Sequence, residues 1–542
     1  MIHAVPLREL LPAGSLIRDC WEGNEKFRSL VPRWFGDPRA FAEQQEALAG
    51  KRYDRESLRS VLESQNRRFN AAPAALANVA RLADPRAVVV IGGQQAGLFG
   101  GPLYTVNKAL TVLSLAGKLE EQLHLPVIPV FWIASEDSDL AEVDRASVID
   151  RDGNLRQLRL AGDENGKLPV SLIRLGEGVS GLIQQLSAWL PESEFTPELL
   201  LSLRECYAPG RTYPAAFGAW MASLFSEKGL VLVDPAEPGL KRIALPLFER
   251  EVSEKSPVSR AMMEQTRLLE RAGYAPQIEL REGMLTLFYQ DPAREAIAVK
   301  NDVFELRSSE RRFTNGDLTT LLRESPEHFS PNAALRPLFQ DSLFPTLAMV
   351  LGPSEIAYWA QLPLAYQAMG IPMPVLVPRA SLTLIEARHH RFMEKHQLPL
   401  QDVIKRGKSV INDIVRREIP PALLQDLDAR RTQAVGIWED LIRQIERLDP
   451  TLRRTAELAA SASRKQFDFI EKKITQAARR KDQVLRGQVE RLAAALAPNG
   501  ELQERTLTAV PFLARYGSRA LGLALQATDP FAPEHRGVVM DA

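Results

Sequence analysis

A chain of 542 residues is longer than one small core requires, so two or three structural units are expected. Its 68 Lys plus Arg balance 68 Asp plus Glu, which argues against a nucleic acid as the main partner. Cys20 and Cys206 are the only cysteines, which excludes a disulfide framework or a CxxC metal site and fits a reducing, cytoplasmic setting. The N-terminus has no secretory pattern, and no apolar window approaches the ~20 residues of a membrane span.

Residues 1–85 read as helical, with apolar side chains at helical spacing in RESLRSVLESQNRRF and AAPAALANVARLA. AVVVIGG (87–93) is a β-branched run ending in glycine, the pattern of a strand buried on both faces. Pro102 opens a helix running to about Leu123, and LPVIPVFWI (125–133) is a second buried strand. From 151 the character changes. GLVLVDP (229–235) is a further strand, and QIELREGMLTLFY and IAVKNDVFEL alternate as a small antiparallel or mixed region would. FPTLAMVLG, PSEIAYWAQLPLAYQAMG and MPVLVPR then repeat the strand–glycine–Pro–helix–strand order. Two such units predict one α/β sheet assembled across an inserted middle region, with the Gln94–Gln95 turn and the Pro353–Ser354–Glu355 turn facing a common pocket. From about 400, Ala434, Trp438, Leu441, Ile445, Leu448 and Leu452 alternate steps of four and three, as do Phe467, Ile470, Ile474, Ala477 and Val484, with Lys481 interrupting. Asp449–Pro450 breaks this seam, so an antiparallel helical hairpin is expected.

Five segments in order, GGQQAGLFGGPLYTVNKA, PVFWIASEDSD, FSPNAALRPLFQ, LGPSEIAYWAQL and MPVLVPR, resemble the BshC family, the cysteine ligases of bacillithiol biosynthesis. The resemblance spans nearly the whole chain. It implies an α/β fold: a Rossmann-like parallel-sheet core at 86–385, with insertions near 151–228 and 236–340. It also implies a helical segment at 1–85, an α-helical coiled-coil domain at 386–500 that supports a homodimer, and a segment 501–542 returning to the core. The implied reaction joins the carboxyl group of L-cysteine to the amine of glucosaminyl-malate. Activation of that carboxylate points to ATP or ADP as cofactor and admits Mg²⁺; zinc is not expected, and neither a membrane nor a nucleic acid is an expected partner. Two other readings compete: a nucleotide- or RNA-binding protein related to class I synthetase folds, and a non-catalytic dimeric scaffold.

The candidate residues each have a chemical reason and a plainer alternative. Gly93, in a glycine-rich turn with Gly92, Gly97, Gly100 and Gly101, lets backbone N–H groups approach an anion, but a tight turn alone also needs glycine. Gln94 and Gln95 offer donors and acceptors to a sugar or carboxylate. Tyr104, Asn107 and Lys108 lie on the first turns of the following helix, where Lys108 can offset a bound anion or be an ordinary solvated lysine. Glu136, Asp137 and Asp139 are the candidates for catalysis, as proton acceptors or ammonium ligands; Asp139 also resembles a helix cap. The family resemblance places a histidine where this chain has Ser138, and a hydroxyl cannot replace an imidazole as a base near neutral pH. Trp132 is a stacking wall or core. Arg336 and Arg379 suit the carboxylates of a malyl group, Glu355 an ammonium, and Gln340, Gly352, Tyr358 and Gln361 complete the second cluster. No metal site is expected: the His389–His390 pair lacks a ligand motif and reads as part of a surface helix, and both cysteines read as buried, inert thiols.

Overall fold

The run of β-branched residues at Val88–Ile91 forms the middle of a sheet because neither of its faces carries a polar group before Gln94. The computed structural model describes residues 1–137, 139–160, 168–291, 294–300, 303–309, 311–418, 420–481 and 483–540, the side chains of 418 and 477–481 excepted. The strand β1 (Val88–Gln94) pairs in parallel with β2 (Val127–Ile133) on one side and β4 (Thr346–Leu351) on the other. Beyond them lie β3 (Val231–Val233) and β5 (Val375–Pro378), giving the order β5-β4-β1-β2-β3. Every residue of β2, β3, β4 and β5 is buried. Each fully buried Val, Leu or Ile contributes about 1.5–3 kcal/mol, so this layer dominates the core.

Helix α1 (Leu103–Leu123) returns from β1 to β2 and ends at His124 in the left-handed conformation, φ 54°. Two glycines allow its close approach and that of the neighbouring strand. A Cβ at Gly92 would lie 2.7 Å from Val112 Cγ2, and one at Gly93 would lie 2.6 Å from the Trp132 carbonyl oxygen. From β1 the chain progresses outward to β2 and β3, then crosses to β4 and β5. The direction therefore reverses between β1 and β4, where an open parallel sheet forms a crevice at its carboxyl edge.

The inserted region supplies an antiparallel sheet in the order Arg312–Phe313, Val303–Leu306, Arg294–Lys300, Met284–Gln290, Phe329–Pro331. A third sheet joins the ends of the chain: Ile2–Pro6 pairs antiparallel to Glu534–Met540, which runs parallel to Ser381–Glu386. The strand Ile2–Pro6 departs from the helical reading of the N-terminal region, which is helical only from Leu16 on apart from one short turn. Met1–Glu386 and Gln503–Ala542 form one unit, and Ala387–Leu502 forms a second.

In the second unit, α4 (Pro421–Leu448) and α5 (Arg453–Lys481) are joined at Asp449, whose carboxylate accepts from Thr451 N at 2.9 Å. Arg453 pairs with Glu446 at 2.6 Å beside this turn, and Arg431 pairs with Glu471 at 2.6 Å far from it, so the helices are antiparallel. Ala434, Trp438, Ile445, Phe467 and Ile474 are half-buried in the seam, as the periodicity predicts. Leu441, Leu448, Leu452, Ile470 and Val484, expected in the same seam, are instead 39%, 83%, 43%, 46% and 70% exposed. The half-buried Ile442 takes the place of Leu441, because the seam needs one apolar residue per turn and this helix carries two stripes. The side chains of Ala477 and Lys481 lie outside the described residues. His389 and His390 are 5% and 8% exposed, contrary to a surface position, because the helix Ala387–Lys395 turns them inward with Met393. No helix among the described residues is long and apolar enough to cross a membrane.

Candidate functional site

The two strand–turn–helix units meet at the β1–β4 crevice through one ion pair. The Lys108 ammonium donates to the Gly93 carbonyl at 2.6 Å, to Gln94 Oε1 at 3.0 Å and to Glu355 Oε2 at 2.5 Å. Glu355 opens α3 (Pro353–Trp359) and also accepts from Gly352 N at 2.6 Å, closing the helix start. Lys108 is thus neither solvated nor pointed at solvent anions: its side chain is 1% exposed, and burial pulls its pKa down against the opposing pull of Glu355. The glycine turn beyond Gln94 is committed within the fold. Gly100 N donates to the Tyr207 hydroxyl at 2.9 Å, Gly101 N to the Leu98 carbonyl at 3.1 Å, and Leu103 N to the Leu507 carbonyl at 2.7 Å. These donors hold a tight, buried turn, so Gly97–Gly101 is a packing device rather than an open anion cradle. Gln95 reaches Glu142.

Along the same edge, the residues after β2 and β3 gather charge. Glu136 is 4% exposed and pairs with Lys241 of α2 (Pro238–Ile243), leaving Oε2 without a hydrogen-bond partner. Lys241 also lies 5.0 Å above the Phe339 ring, and burial lowers its pKa. Asp137 lies 3.6 Å from Arg336, and both carboxylates act on Arg294. Burial, then the neighbouring Arg336, brings Arg294 down to about 10. Asp234, just past β3, accepts from Ser135 Oγ, and burial pushes its pKa up to about 6. Tyr358, half-buried on α3, has its pKa raised by burial and then by Glu355, with Arg336 opposing. Asp139 is exposed and caps the short helix Leu140–Val143 through Ala141 N at 3.1 Å, so of the three acidic candidates it alone stands outside the cluster. Ser138 lies outside the described residues.

The remaining candidates are held inside the fold. Trp132 packs edge-on against Phe339 at 5.6 Å and is 3% exposed. Gln340 donates to Asp341 Oδ1 at 2.9 Å. Gln361 accepts from the backbone of Gln277 at 2.8 Å and Ile278 at 2.9 Å and donates to Thr266 Oγ1 at 2.9 Å. Arg379 grips Glu504 with two hydrogen bonds of 2.9 and 2.8 Å and lies 5.7 Å from the Tyr104 ring centroid. Glu504 also accepts from Asn107 Nδ2 at 2.6 Å and Ser381 Oγ at 2.8 Å. His535 bridges Ser381 and Thr383 at 2.8 and 2.9 Å, with its pKa lowered to about 4 by burial. Arg379 and Asn107 therefore tie the crevice to the returning C-terminal segment. Lys241, Arg294, Glu504 and Asp234 are the charged residues that sequence reasoning missed. They lie in segments with no motif, and only Asp234, in the strand-ending pair Asp234–Pro235, carried a positional signal.

Fold and site define a Rossmann-type α/β protein whose charged groups converge on the carboxyl edge of its parallel sheet and which carries a separate antiparallel helical hairpin. The chain belongs to the BshC family of bacillithiol biosynthesis. Residues 2–380 match its N-terminal Rossmann-like domain and residues 382–540 its C-terminal coiled-coil domain. A relative from Koribacter versatilis, curated as "Putative cysteine ligase BshC", is 38% identical over 487 residues, covering 89% of each chain. Relatives of the same name from Bacillus velezensis and Salinibacter ruber are 31% and 33% identical, covering 87% and 88% of this chain and 88% and 87% of their own.

Proposed function

We propose that this protein is a ligase that joins the carboxyl group of L-cysteine to the amine of glucosaminyl-malate, forming the amide of bacillithiol. The names of its relatives support the ligase class. One observation carries the reading to the site: the Glu136–Asp137 turn and the cations Lys241, Arg294 and Arg336 meet at the carboxyl edge of the sheet. Amide formation from an ammonium and a carboxylate needs both signs of charge, an acceptor for the amine's proton and cations for the acids. With Glu136 held by Lys241, Asp137 is the carboxylate assigned to the proton. ATP, when bound, supplies the activation of the cysteine carboxyl. Among the described residues no cluster of three His, Cys, Asp or Glu could hold a metal, so Mg²⁺ would enter with the nucleotide phosphates and meet at most one or two carboxylates. The protein is proposed to act in the cytoplasm as a homodimer through its helical hairpin.

Steady-state assays with cysteine, glucosaminyl-malate and ATP test the reaction: the pure protein forms bacillithiol, and product appearing only when another protein is added removes the proposal. Asp137→Ala lowers kcat by ~10²-fold or more if Asp137 takes the proton. An unchanged kcat removes that role.

A further inference from the structure

The Arg294 guanidinium is fixed without a carboxylate. It lies 4.0 Å from the Phe288 ring centroid, and it donates through Nε to Ser330 Oγ at 3.0 Å and through Nη2 to the Pro331 carbonyl at 2.8 Å. All of these partners are neutral. Among the described residues Arg294 makes no ion pair, and Nη1 has no hydrogen bond. Arg336, at the start of the helix Arg336–Leu343, has its nearest carboxylate at 3.6 Å, beyond hydrogen-bond reach, and a buried Nε without a partner. Glu136, the other carboxylate in range, is taken by Lys241. Lys241 is thus matched by Glu136, with Asp234 also acting on it, and Arg294 and Arg336 are left with Asp137, which among the described residues makes no hydrogen bond to either guanidinium. Like charges kept in each other's field in a half-buried place are costly unless an anion joins them. The downward shift at Arg294, caused by burial and then by Arg336, agrees with this. The stacking and the two neutral hydrogen bonds fix the plane of Arg294 in advance, the condition for bidentate capture of a carboxylate.

We propose that Arg294 and Arg336 form a clamp for the two carboxylates of the malyl arm of the sugar substrate. The assignment rests on the proposed reaction for the identity of the ligand, and it replaces Arg379, whose guanidinium is occupied by Glu504. Arg294 comes from the antiparallel insert and Arg336 from the segment leading to β4, so the clamp joins two parts of the insertion at one point on the sheet edge.

The test uses the full-length protein and two readouts. By titration calorimetry L-malate binds the wild type, whereas acetate and glucosamine bind far more weakly. Arg294→Lys and Arg336→Lys keep the charge and lose the fork, and each raises the KM for glucosaminyl-malate by about 10- to 100-fold with the KM for cysteine unchanged. In the wild type, L-malate inhibits competitively against glucosaminyl-malate and not against cysteine. An unchanged sugar-substrate KM in both lysine variants, or malate inhibition that is not competitive with that substrate, overturns the clamp. If the wild type forms no bacillithiol yet binds L-malate in a manner lost in both variants, the reaction falls and the clamp stands.

Discussion

Replacing Lys108 by Met should loosen the crevice, because one ammonium holds three groups from two units of sequence. Met fills nearly the same volume, so the loss is electrostatic. The Lys108 side chain is 1% exposed and Glu355 is 26% exposed. Removing one partner of a buried pair costs about 3–5 kcal/mol. Glu355 is a quarter exposed and keeps the Gly352 N–H, so the lower end, about 3 kcal/mol, applies. The buried Gly93 carbonyl loses its side-chain donor for about 1 kcal/mol more, while the half-buried Gln94 can turn to water. The expected total is about 4 kcal/mol, which moves the urea midpoint by roughly 1 M for a unit of this size. Tryptophan fluorescence reads it, since every tryptophan except Trp438 lies in the α/β unit. Adding Glu355→Gln removes the stranded carboxylate and should restore about 2 kcal/mol. A Lys108→Met midpoint equal to wild type, or a double variant no more stable than Lys108→Met, refutes the pairing as a structural determinant.

Gly93→Ala should destabilise by about 1–3 kcal/mol, because the new methyl meets backbone at Trp132 that cannot rotate away; an unchanged melting temperature would contradict the β1–β2 approach. His535 is buried neutral, with its pKa lowered from 6.5 to about 4, so its contribution is complete above pH 6.5 and is lost as pH falls toward 4. That window is worth about 3 kcal/mol. Asp234 and Asp341, raised to about 6 by burial, act oppositely, since their cost disappears as pH falls below 6. The His535 effect is therefore read as the difference between wild-type and His535→Asn stability across this range, and parallel curves would exclude it. Ile437 and Leu441 are 60% and 39% exposed on α4, so Ile437→Glu with Leu441→Glu should shift the proposed dimer to monomer in sedimentation velocity while leaving the α/β unit's melting unchanged. A wild type already monomeric at micromolar concentration, or a variant still dimeric, counts against the hairpin as the interface.

Local pattern was enough for the strands of the parallel sheet and for the hairpin, but not for the strands Ile2–Pro6, Ser381–Glu386 and Glu534–Met540 that join the chain ends. The apolar runs at 88–91 and 127–133 have no polar residue to place on a solvent face, and the four–three spacing from Ala434 to Ile445 admits one helical seam. The repeated strand–glycine–Pro–helix order announced that two distant segments share a sheet, and β1 and β4 are neighbours. The partition of the second apolar stripe was not legible, because Leu441 and Ile442 are both apolar and only the partner helix chooses between them. Charge pairing was legible least of all. Lys108 meets Glu355 across 247 positions, Lys241 meets Glu136 across 105, and Arg379 meets Glu504 across 125. With 68 residues of each sign, an ion pair leaves no mark on the sequence near either partner. Hydrophobic period is a property of neighbours along the chain and survives in the sequence. Which charge is neutralised, and which is left waiting for a ligand, depends on distances that exist only once the sheet has been assembled.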